Sequence, residues 1–255
     1  MNRLSALRNI RARLRNGGVS IGSWIQIPDA SVAEIMGQAG YDWVAVDLEH
    51  GTIGHHQLPD LFRALELGNT LPLARLAEGQ PRDCKQALDA GAGGVIVPMV
   101  ETAEQLITLL DACRWPPTGT RGVGFSRANL FGRHFDTYSL EAQAPIMVAM
   151  IESVRAVKNL DAILGIEGLD AILVGPYDLS ASMGTTAQFD HPTFKAAIQE
   201  IFDAAKQADI PVGVHVVAPS KNELDKRVAE GFRFLAFSID SVLLSTSAQN
   251  PVVQP

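Results

Sequence analysis

A single (β/α)8 barrel with parallel strands is the fold class that the sequence predicts, and three observations support it. The 255 residues match the ~250 that an eightfold barrel typically needs. Eight short apolar runs alternate with longer amphipathic stretches along the whole chain. Most of these runs place Val, Ile and Leu on consecutive positions, as parallel strands buried on both faces do. No linker or break in composition marks a second domain, so residues 1–255 are treated as one domain.

The predicted elements follow from these runs and from the stretches between them. Strands are expected at Ser23–Ile27, Trp43–Asp47, Leu71–Arg75, Gly94–Val97, Ile146–Ile151, Ala171–Val174, Val212–Val216 and Phe234–Phe237. Helices are expected at Ala30–Ala39, His56–Leu67, Pro81–Asp89, Thr102–Cys113, Val154–Leu164, Pro192–Ala208 and Ser220–Glu230. Several of these helices are followed by glycine, a common helix stop. Residues 1–18 are predicted to form a leading helix that covers the bottom of the barrel, and residues 240–255 a C-terminal helix and tail.

A doubly wound sheet would produce the same alternation of strands and helices. Such a sheet commonly binds phosphate at a glycine-rich loop after its first strand, whereas Gly22 stands alone at that place. Polar residues also follow many different strands instead of gathering at one crevice, which favours the barrel. The long irregular stretch from Arg114 to Tyr138, rich in Pro and Gly, is expected to be functional.

Charge and composition exclude several classes of partner. The formal net charge of −7 leaves no basic stripe for nucleic acid, and no apolar run approaches the roughly 18 residues of a membrane helix. The two cysteines, Cys84 and Cys113, lack the close spacing of a metal or redox motif and are interpreted as reduced thiols. A cytoplasmic enzyme with a small-molecule substrate is expected.

Polar side chains follow the ends of several predicted strands, where barrel enzymes build their active sites. The set comprises Asp47, Glu49, His50, Arg75, Glu152, Tyr177, Asp178, His215, Ser238 and Asp240. Each alone has a structural explanation, such as a helix N-cap for Asp178, a surface ion pair for Arg75 or a core position for His215. Together they predict one face on which two acids, a histidine and an arginine converge.

The two acids of that group, Glu152 and Asp178, come from neighbouring strands without cysteine or histidine clusters beside them. Oxygen-only ligation of this kind suits Mg²⁺ or Mn²⁺, with water and substrate filling the remaining positions of an octahedron. The alternative is a pair of carboxyl groups that shares one proton.

A series of short motifs occurs in a defined order along the chain. It consists of DW at 42–43, DLEHG at 47–51, the strand ending at Arg75, LDAG at 88–91, VPMV at 97–100, PPTGTRGVG at 116–124, IES at 151–153 and GPYDLS at 175–180. In this order and spacing the motifs resemble the HpcH/HpaI aldolases, pyruvate-dependent class II enzymes of the phosphoenolpyruvate/pyruvate barrel superfamily. The resemblance extends from about Gly22 to Asp240. It implies a metal-dependent aldolase, similar to the 4-hydroxy-2-oxoheptanedioate and 2-dehydro-3-deoxyglucarate aldolases, that reversibly cleaves a 4-hydroxy-2-oxo acid to pyruvate and an aldehyde.

The resemblance also implies roles for individual residues. Glu152 and Asp178 would hold the divalent metal, Mg²⁺ or Mn²⁺ with Co²⁺ as a further candidate. Arg75 would stabilise the pyruvate enolate, and His50, paired with Asp89, would be the acid and base acting on the aldol hydroxyl. These roles agree with the chemistry, since cleavage leaves an enolate that needs fixed positive charge and a base near neutral pKa.

The remaining candidate residues line the substrate pocket. The amides around Gly175, Pro176 and Tyr177 would receive the pyruvate carboxylate, and Trp24 resembles the aromatic residue of the family's pocket wall. Arg127, in the long irregular stretch, is a candidate contact for an acidic or hydroxylated aldehyde; a surface arginine is the alternative.

Two departures from the family pattern and the positions of the lysines bear on the chemistry. Met150 and Tyr177 stand where many members have Gln and Ala, which leaves the aldehyde half of the substrate open. A class I aldolase would need a Schiff-base lysine at a strand end. Every lysine instead falls in a helix-like segment: Lys85, Lys158, Lys195, Lys206, Lys221 and Lys226.

Two other functions stay open from the sequence. A citrate-lyase-like enzyme acting on a CoA thioester would share the enolate chemistry but needs a basic patch for the CoA phosphates, and none is evident. A barrel that binds a keto acid without turning it over is the second. The resemblance further implies a homo-oligomer, a trimer or hexamer, in which residues 240–255 could be exchanged between subunits.

Overall fold

The computed structural model describes residues 1–250 and 252 and confirms the predicted (β/α)8 barrel. Its strands are all parallel and pair in the order β1 to β8, with β8 closing on β1. The strands are β1 (Ser20–Ile25), β2 (Trp43–Asp47), β3 (Leu71–Arg75), β4 (Gly94–Val97), β5 (Ile146–Ile151), β6 (Ala171–Val174), β7 (Val212–Val216) and β8 (Phe234–Ile239).

The helices form the outer ring and the two ends of the barrel. They are α1 (Arg3–Arg15), α2 (Ala30–Gln38), α3 (Leu58–Leu67), α4 (Pro81–Ala90), α5 (Ala103–Cys113), α6 (Phe135–Ala142), α7 (Val154–Lys158), α8 (Leu160–Leu164), α9 (Pro176–Ser182), α10 (Pro192–Gln207), α11 (Lys221–Glu230) and α12 (Asp240–Ser247). Single 3₁₀ turns lie at His55–Gln57 and Arg127–Asn129. None of the helices described is long and apolar enough to cross a membrane.

Several element boundaries differ from the sequence prediction by a few residues, among them the end of β8, which lies at Ile239 and not at Phe237. Strand β1 begins at Ser20, because the chain already pairs there with Phe234 of β8. The predicted helix Val154–Leu164 is broken into α7 and α8 at Asn159, whose side chain donates to the carbonyl oxygen of Glu101 at 2.8 Å. Helix α6 starts at Phe135, inside the stretch predicted to be irregular.

Two separate apolar layers hold the barrel together. One layer packs the outer faces of the strands against the ring of helices, and the other fills the interior with inward-facing side chains. In the interior, the Trp43 ring stacks on Phe234 with centroids 4.4 Å apart, and Gly22 leaves room for it, since a Cβ there would lie 2.1 Å from the Trp43 ring. Helix α1 adds Leu7 and Leu14 to this interior cluster and so covers one end of the barrel.

The predicted C-terminal segment 240–255 is described in part. Helix α12 occupies Asp240–Ser247 and contacts β1 and β8. Residues 251 and 253–255 lie outside the described residues.

Candidate active site

A buried ion pair between β2 and β3 forms the centre of the site. Asp47 and Arg75 are direct register partners at the carboxyl ends of these strands. The Asp47 carboxylate accepts two parallel hydrogen bonds from the guanidinium, Nε to Oδ1 at 2.8 Å and Nη2 to Oδ2 at 2.5 Å. Burial alone would raise the pKa of Asp47, but the hydrogen bonds and charge of Arg75, with smaller contributions from Gln26 and His50, hold it below its usual value. The pair therefore fixes a charged guanidinium in one orientation.

The same carboxylate shapes the turn that follows β2. Asp47 Oδ1 also accepts from the backbone N–H groups of Glu49 and His50, at 3.0 and 3.2 Å. This turn leaves the His50 side chain 58% exposed, with its Nε2 3.7 Å from Glu49 Oε2. Arg75 Nη1 lies 3.3 Å from that same Glu49 oxygen. His50 thus stands on the open side of the guanidinium, where a small molecule can reach it.

Glu152 is the buried acid of the site. It follows β5, is 2% exposed, and its Oε1 accepts a hydrogen bond from the Met99 backbone N–H at 2.6 Å. Met99 follows β4 with a left-handed φ of 50°, which turns its amide toward the carboxylate. Burial, with the nearby charges of Glu49 and Asp178, raises the pKa of Glu152 to about 7, against the lowering effects of the Met99 amide and Arg75.

The loop after β6 approaches Glu152 at close range. A Cβ added to Gly175 would lie 2.5 Å from Glu152 Oε2, so only glycine fits between this loop and the carboxylate. Gly175 is the N-cap of α9, and Asp178 lies in the first turn of that helix. Pro176 has no backbone N–H and the Gly175 N–H bonds to Ile151 O at 3.3 Å, which leaves the Tyr177 amide as the free donor of the predicted three.

The floor of the site is aromatic. The Trp24 ring is 1% exposed and lies under the guanidinium of Arg75, with 4.6 Å from Cζ to the ring centroid. Edge-on to it lies His215, whose Nε2 is 3.2 Å from Ser238 O. Burial lowers the pKa of His215 to about 4, so this histidine is a neutral core residue. Trp24 therefore supports Arg75 from below.

Two of the predicted site residues lie elsewhere in the chain's fold. Asp89 is in the last turn of α4, a helix that begins at Pro81. Because an α-helix rises ~1.5 Å per residue, Asp89 lies roughly 12 Å from Pro81 along the helix axis. Among the described residues no hydrogen bond or ion pair joins Asp89 to His50. Burial raises the pKa of Asp89, against the charges of Arg121 and Lys85.

Arg127 is also held away from the site. Its Nη2 forms an ion pair with Glu66 Oε2 at 2.5 Å, and its Nη1 donates to the carbonyl oxygen of Ala90 at 3.2 Å. Only 9% of its side chain is exposed. Because Glu66 and Ala90 close α3 and α4, Arg127 anchors the long irregular segment to those helices.

Comparison with known proteins identifies the family. The model for HpcH/HpaI aldolase/citrate lyase matches residues 20–247. The hydroxypyruvate/pyruvate aldolase of Roseobacter denitrificans is 36% identical over 251 residues, covering 96% of this chain and 95% of that protein. The 2-keto-3-deoxy-L-rhamnonate aldolase of Escherichia coli O9:H4 is 37% identical, covering 92% and 88%. A crystal structure of a family protein from Burkholderia cenocepacia J2315 superposes with a TM-score of 0.87 at 31% identity, covering 94% and 95%. This chain belongs to the HpcH/HpaI aldolase/citrate lyase family.

Membership of the HpcH/HpaI family confirms the resemblance found in the sequence and the predicted enzyme class, a carbon–carbon lyase of the aldolase type. The positions of the lysines agree with a mechanism without a Schiff base. Each lysine lies in a helix, at Lys85, Lys158, Lys195, Lys206, Lys221 and Lys226, none of them at a strand end.

The acids of the site fit a hard divalent cation. Glu152 Oε2 faces the Gly175 loop, and Glu49 Oε2 is buried without a hydrogen bond from the residues that the structure describes. Glu152 lies near two other carboxylates, since the negative charges of Glu49 and Asp178 add to burial in raising its pKa. Within residues 1–250 and 252, no group of three or more His, Cys, Asp or Glu side chains is arranged to hold a metal. Two carboxylates with water and substrate are a usual shell for Mg²⁺.

Three groups that contact the site residues had no predicted role: the side chains of Glu49 and Gln26 and the backbone amide of Met99. Glu49 lies between Asp47 and His50 in the motif, so its position was visible but its contact with Arg75 was not. Gln26, within the first predicted strand, donates to Asp47 Oδ2 at 2.8 Å. The Met99 amide carries no signal in the sequence, because any residue other than proline supplies the same N–H.

Proposed function

We propose that this chain is a metal-dependent class II aldolase that reversibly cleaves a 4-hydroxy-2-oxo acid to pyruvate and an aldehyde. A 2-keto-3-deoxy sugar acid is the proposed substrate class, by analogy with the relative named a 2-keto-3-deoxy-L-rhamnonate aldolase. The observation that carries the proposal is the fixed Arg75 guanidinium, which lies between the acids and the exposed His50.

Glu152 and Asp178 are the proposed ligands of the divalent cation, with Mg²⁺ or Mn²⁺ the preferred ions. The bound cation would supply Lewis-acid stabilisation to the oxygens of the keto acid. The buried Glu152 supports this assignment, because a cation would offset the burial and the neighbouring negative charges of Glu49 and Asp178, which together raise the pKa of its carboxyl group.

Cleavage assigns separate tasks to His50 and Arg75. His50 takes the proton from the C4 hydroxyl, the C3–C4 bond breaks, and C4 leaves as the aldehyde carbonyl. The electron pair of that bond moves to the C2 oxygen through the C2–C3 double bond of an enolate. Arg75, its orientation fixed by Asp47, donates hydrogen bonds to the oxygen on which this charge develops. Protonation at C3 then gives pyruvate.

The other predicted site residues take supporting roles in this proposal. Trp24 covers one face of the Arg75 guanidinium and shields it from water. The Tyr177 amide binds the pyruvate carboxylate beside Gly175. The pairing of Asp89 with His50 that the family resemblance implies, and the contact of Arg127 with the aldehyde, stay predictions, because neither residue contacts His50 or Arg75 within one chain's described residues.

A cytoplasmic homo-oligomer is the proposed setting for this enzyme. The proposal of a reducing compartment agrees with Cys84 and Cys113, which are both buried and not joined in a disulfide. The oligomer, a trimer or hexamer, rests on the family resemblance alone and is checked by light scattering on the purified protein.

Pyruvate release tests the proposed reaction. A panel of 4-hydroxy-2-oxo acids, sugar-derived and simple, is incubated with Mg²⁺ or Mn²⁺, with EDTA, and with two variants. We expect cleavage that EDTA abolishes and that His50→Ala slows at least about 100-fold. The matched control is His134→Ala, since His134 is exposed, lies outside the site and makes no side-chain cap at α6.

Proton exchange at the methyl group of pyruvate is followed in the same samples. Exchange without cleavage would mean that the enolate half of the site works and that the aldehyde is absent from the panel. The absence of both activities from folded, metal-loaded protein would contradict the proposal. It would leave a keto-acid-binding barrel as the better description.

A further inference from the structure

A continuous row of polar contacts joins the C-terminal helix to the arginine of the site. Ser241, in the first turn of α12, donates its hydroxyl to Gln26 Oε1 at 3.2 Å. Gln26 Nε2 donates to Asp47 Oδ2 at 2.8 Å, and Asp47 grips Arg75 with two hydrogen bonds. The row crosses from α12 over β1 and β2 to β3.

The strand register places these residues side by side. Ile25 pairs with Val46, so the next residues, Gln26 and Asp47, lie opposite each other at the carboxyl ends of β1 and β2. Asp47 in turn pairs with Arg75. Neighbours at one level of a parallel sheet project to the same face, which brings the three side chains into direct contact.

The first residue of α12 fixes the backbone at the beginning of this row. The buried Asp240 carboxylate accepts hydrogen bonds from the N–H groups of Gln26, Ile27 and Ser241, at 2.9, 2.9 and 2.7 Å. It thereby holds the end of β1 and the start of α12 together. Both ends of the Gln26–Ser241 contact are anchored by one carboxylate.

Ser241 determines which way the Gln26 amide points. A carboxylate only accepts hydrogen bonds, so the amide nitrogen has to face Asp47, and the amide oxygen has to face a donor. The Ser241 hydroxyl is that donor. If the amide turned over, its oxygen would face Asp47 Oδ2 and repel it. The charged groups around the amide are Asp47 and Arg75 on one side and Asp240 on the other.

We infer that Gln26 is a positioning residue for Arg75, and that Ser241 sets the orientation of its amide. Gln26 holds Oδ2 of Asp47 in place, so that the carboxylate presents both oxygens to the guanidinium at a fixed angle. The inference rests on the proposed role of Arg75 in enolate stabilisation. It adds the N-terminal turn of α12 to the residues that determine the turnover rate.

Substitution of the two outer members tests the row. Gln26→Ala is expected to lower kcat for cleavage and for pyruvate proton exchange by about tenfold, with KM nearly unchanged, because the loss falls on charge that develops only in the transition state. Ser241→Ala is expected to lower kcat about threefold. Gln199→Ala is the matched control, since it also removes a Gln-to-Asp hydrogen bond of 3.0 Å, but on the exposed face of α10.

The double variant separates a positioning row from two independent contacts. If Ser241 acts only through Gln26, the variant carrying both substitutions loses about tenfold, no more than Gln26→Ala alone. Losses that multiply to about thirtyfold would overturn the inference.

A carboxyl group at position 26 makes the pH dependence of kcat a test of the inference. That pH dependence would not change if Gln26 served only to fill space. Gln26→Glu places a carboxylate against Asp47 at neutral pH, and about a hundredfold loss of kcat is expected. Its protonated form again offers a donor to Asp47 Oδ2, so the ratio of its kcat to that of the wild type is expected to rise as the pH falls. A ratio that stays constant with pH would contradict the role of the amide donor.

The Arg75 Nε–H resonance decides the inference independently of catalysis. It is assigned by its loss in Arg75→Lys, and Gln26→Ala and Ser241→Ala are expected to shift it, whereas Gln199→Ala leaves it in place. A shift in a protein without aldolase activity would support the row and refute the proposed function. An unmoved resonance in an active enzyme would refute the row.

Discussion

Removal of the charge on Asp47, by Asp47→Asn, is the perturbation that most directly tests how the site is held. The carboxylate accepts five hydrogen bonds: from Arg75 Nε, Glu49 N and His50 N at Oδ1, and from Arg75 Nη2 and Gln26 Nε2 at Oδ2. Asparagine keeps one acceptor oxygen. If it occupies the Oδ1 position, its NH2 group faces two donors at the other, and both bonds there are lost.

The expected cost follows from the burial of the pair. Asp47 is fully buried and the Arg75 side chain is 11% exposed, so the substitution leaves a guanidinium without its neutralising partner. Breaking a buried pair in this way costs roughly 3–5 kcal/mol. Arg75 Nη1 retains Glu49 at 3.3 Å, which favours the lower end, about 3 kcal/mol. For a chain of this size that corresponds to a Tm lower by about 6–12 °C.

Catalysis is expected to fall together with stability. A guanidinium displaced by about 1 Å loses its alignment with the enolate oxygen, and kcat is expected to drop about 100-fold. Thermal unfolding gives the stability, and pyruvate release per folded enzyme gives kcat. Asp170→Asn is the matched control, because Asp170 forms a bidentate pair with Arg11, at 2.6 and 2.9 Å, away from the site. Asp170→Asn should lower Tm without changing kcat. An Asp47→Asn enzyme with wild-type kcat and Tm would refute the reasoning.

Two further predictions follow from close contacts and burial. Gly175→Ala places a Cβ 2.5 Å from Glu152 Oε2 and is expected to weaken Mn²⁺ binding, measured by titration, at least about tenfold. Gly124→Ala, where a Cβ meets no atom within 4 Å, should bind Mn²⁺ normally, and equal affinities would count against the contact. Burial lowers the pKa of His215 to about 4, so its neutral form contributes stability that is present above pH ~6.5 and lost as the pH falls toward 4, about 3 kcal/mol in all. His215→Gln should remove this part of the pH dependence of Tm, and parallel curves for variant and wild type would disprove it.

The strands were predictable where a run of apolar residues in the sequence coincides with the whole strand. The predicted spans of β2 to β7 are the observed ones, because each is a short run made mostly of β-branched and aliphatic residues. Strand β1 was placed three residues late, since Ser20 and Gly22 have the composition of a turn. Their pairing depends on β8 and on the Trp43 ring, which lie far away in sequence.

The convergence of the candidate site residues on one face was predictable from one rule of the fold. Parallel strands end on one face of a barrel, so polar residues after β2, β3, β5 and β6 had to meet there. The structure brings His50, Arg75 and Glu152 to that face. The rule does not apply to Asp89, because this residue was chosen from a motif in a helix and not from a strand end. Helix α4 carries it away from the carboxyl ends of the strands.

The residues that hold the reactive groups could not be found in the same way. Charge and nucleophilicity mark Arg75 and His50 in a sequence, whereas the amide of Gln26 is neutral and common at exposed positions. Its function depends on the register of β1 with β2, in which Ile25 meets Val46 and the next residue meets Asp47. A shift of one residue would turn Gln26 to the opposite face and leave Asp47 Oδ2 with one donor fewer. The arrangement of side chains in a site of this kind is therefore set by strand pairing, which cannot be read from a single sequence. Its chemistry is set by residue type, which can be read from the sequence.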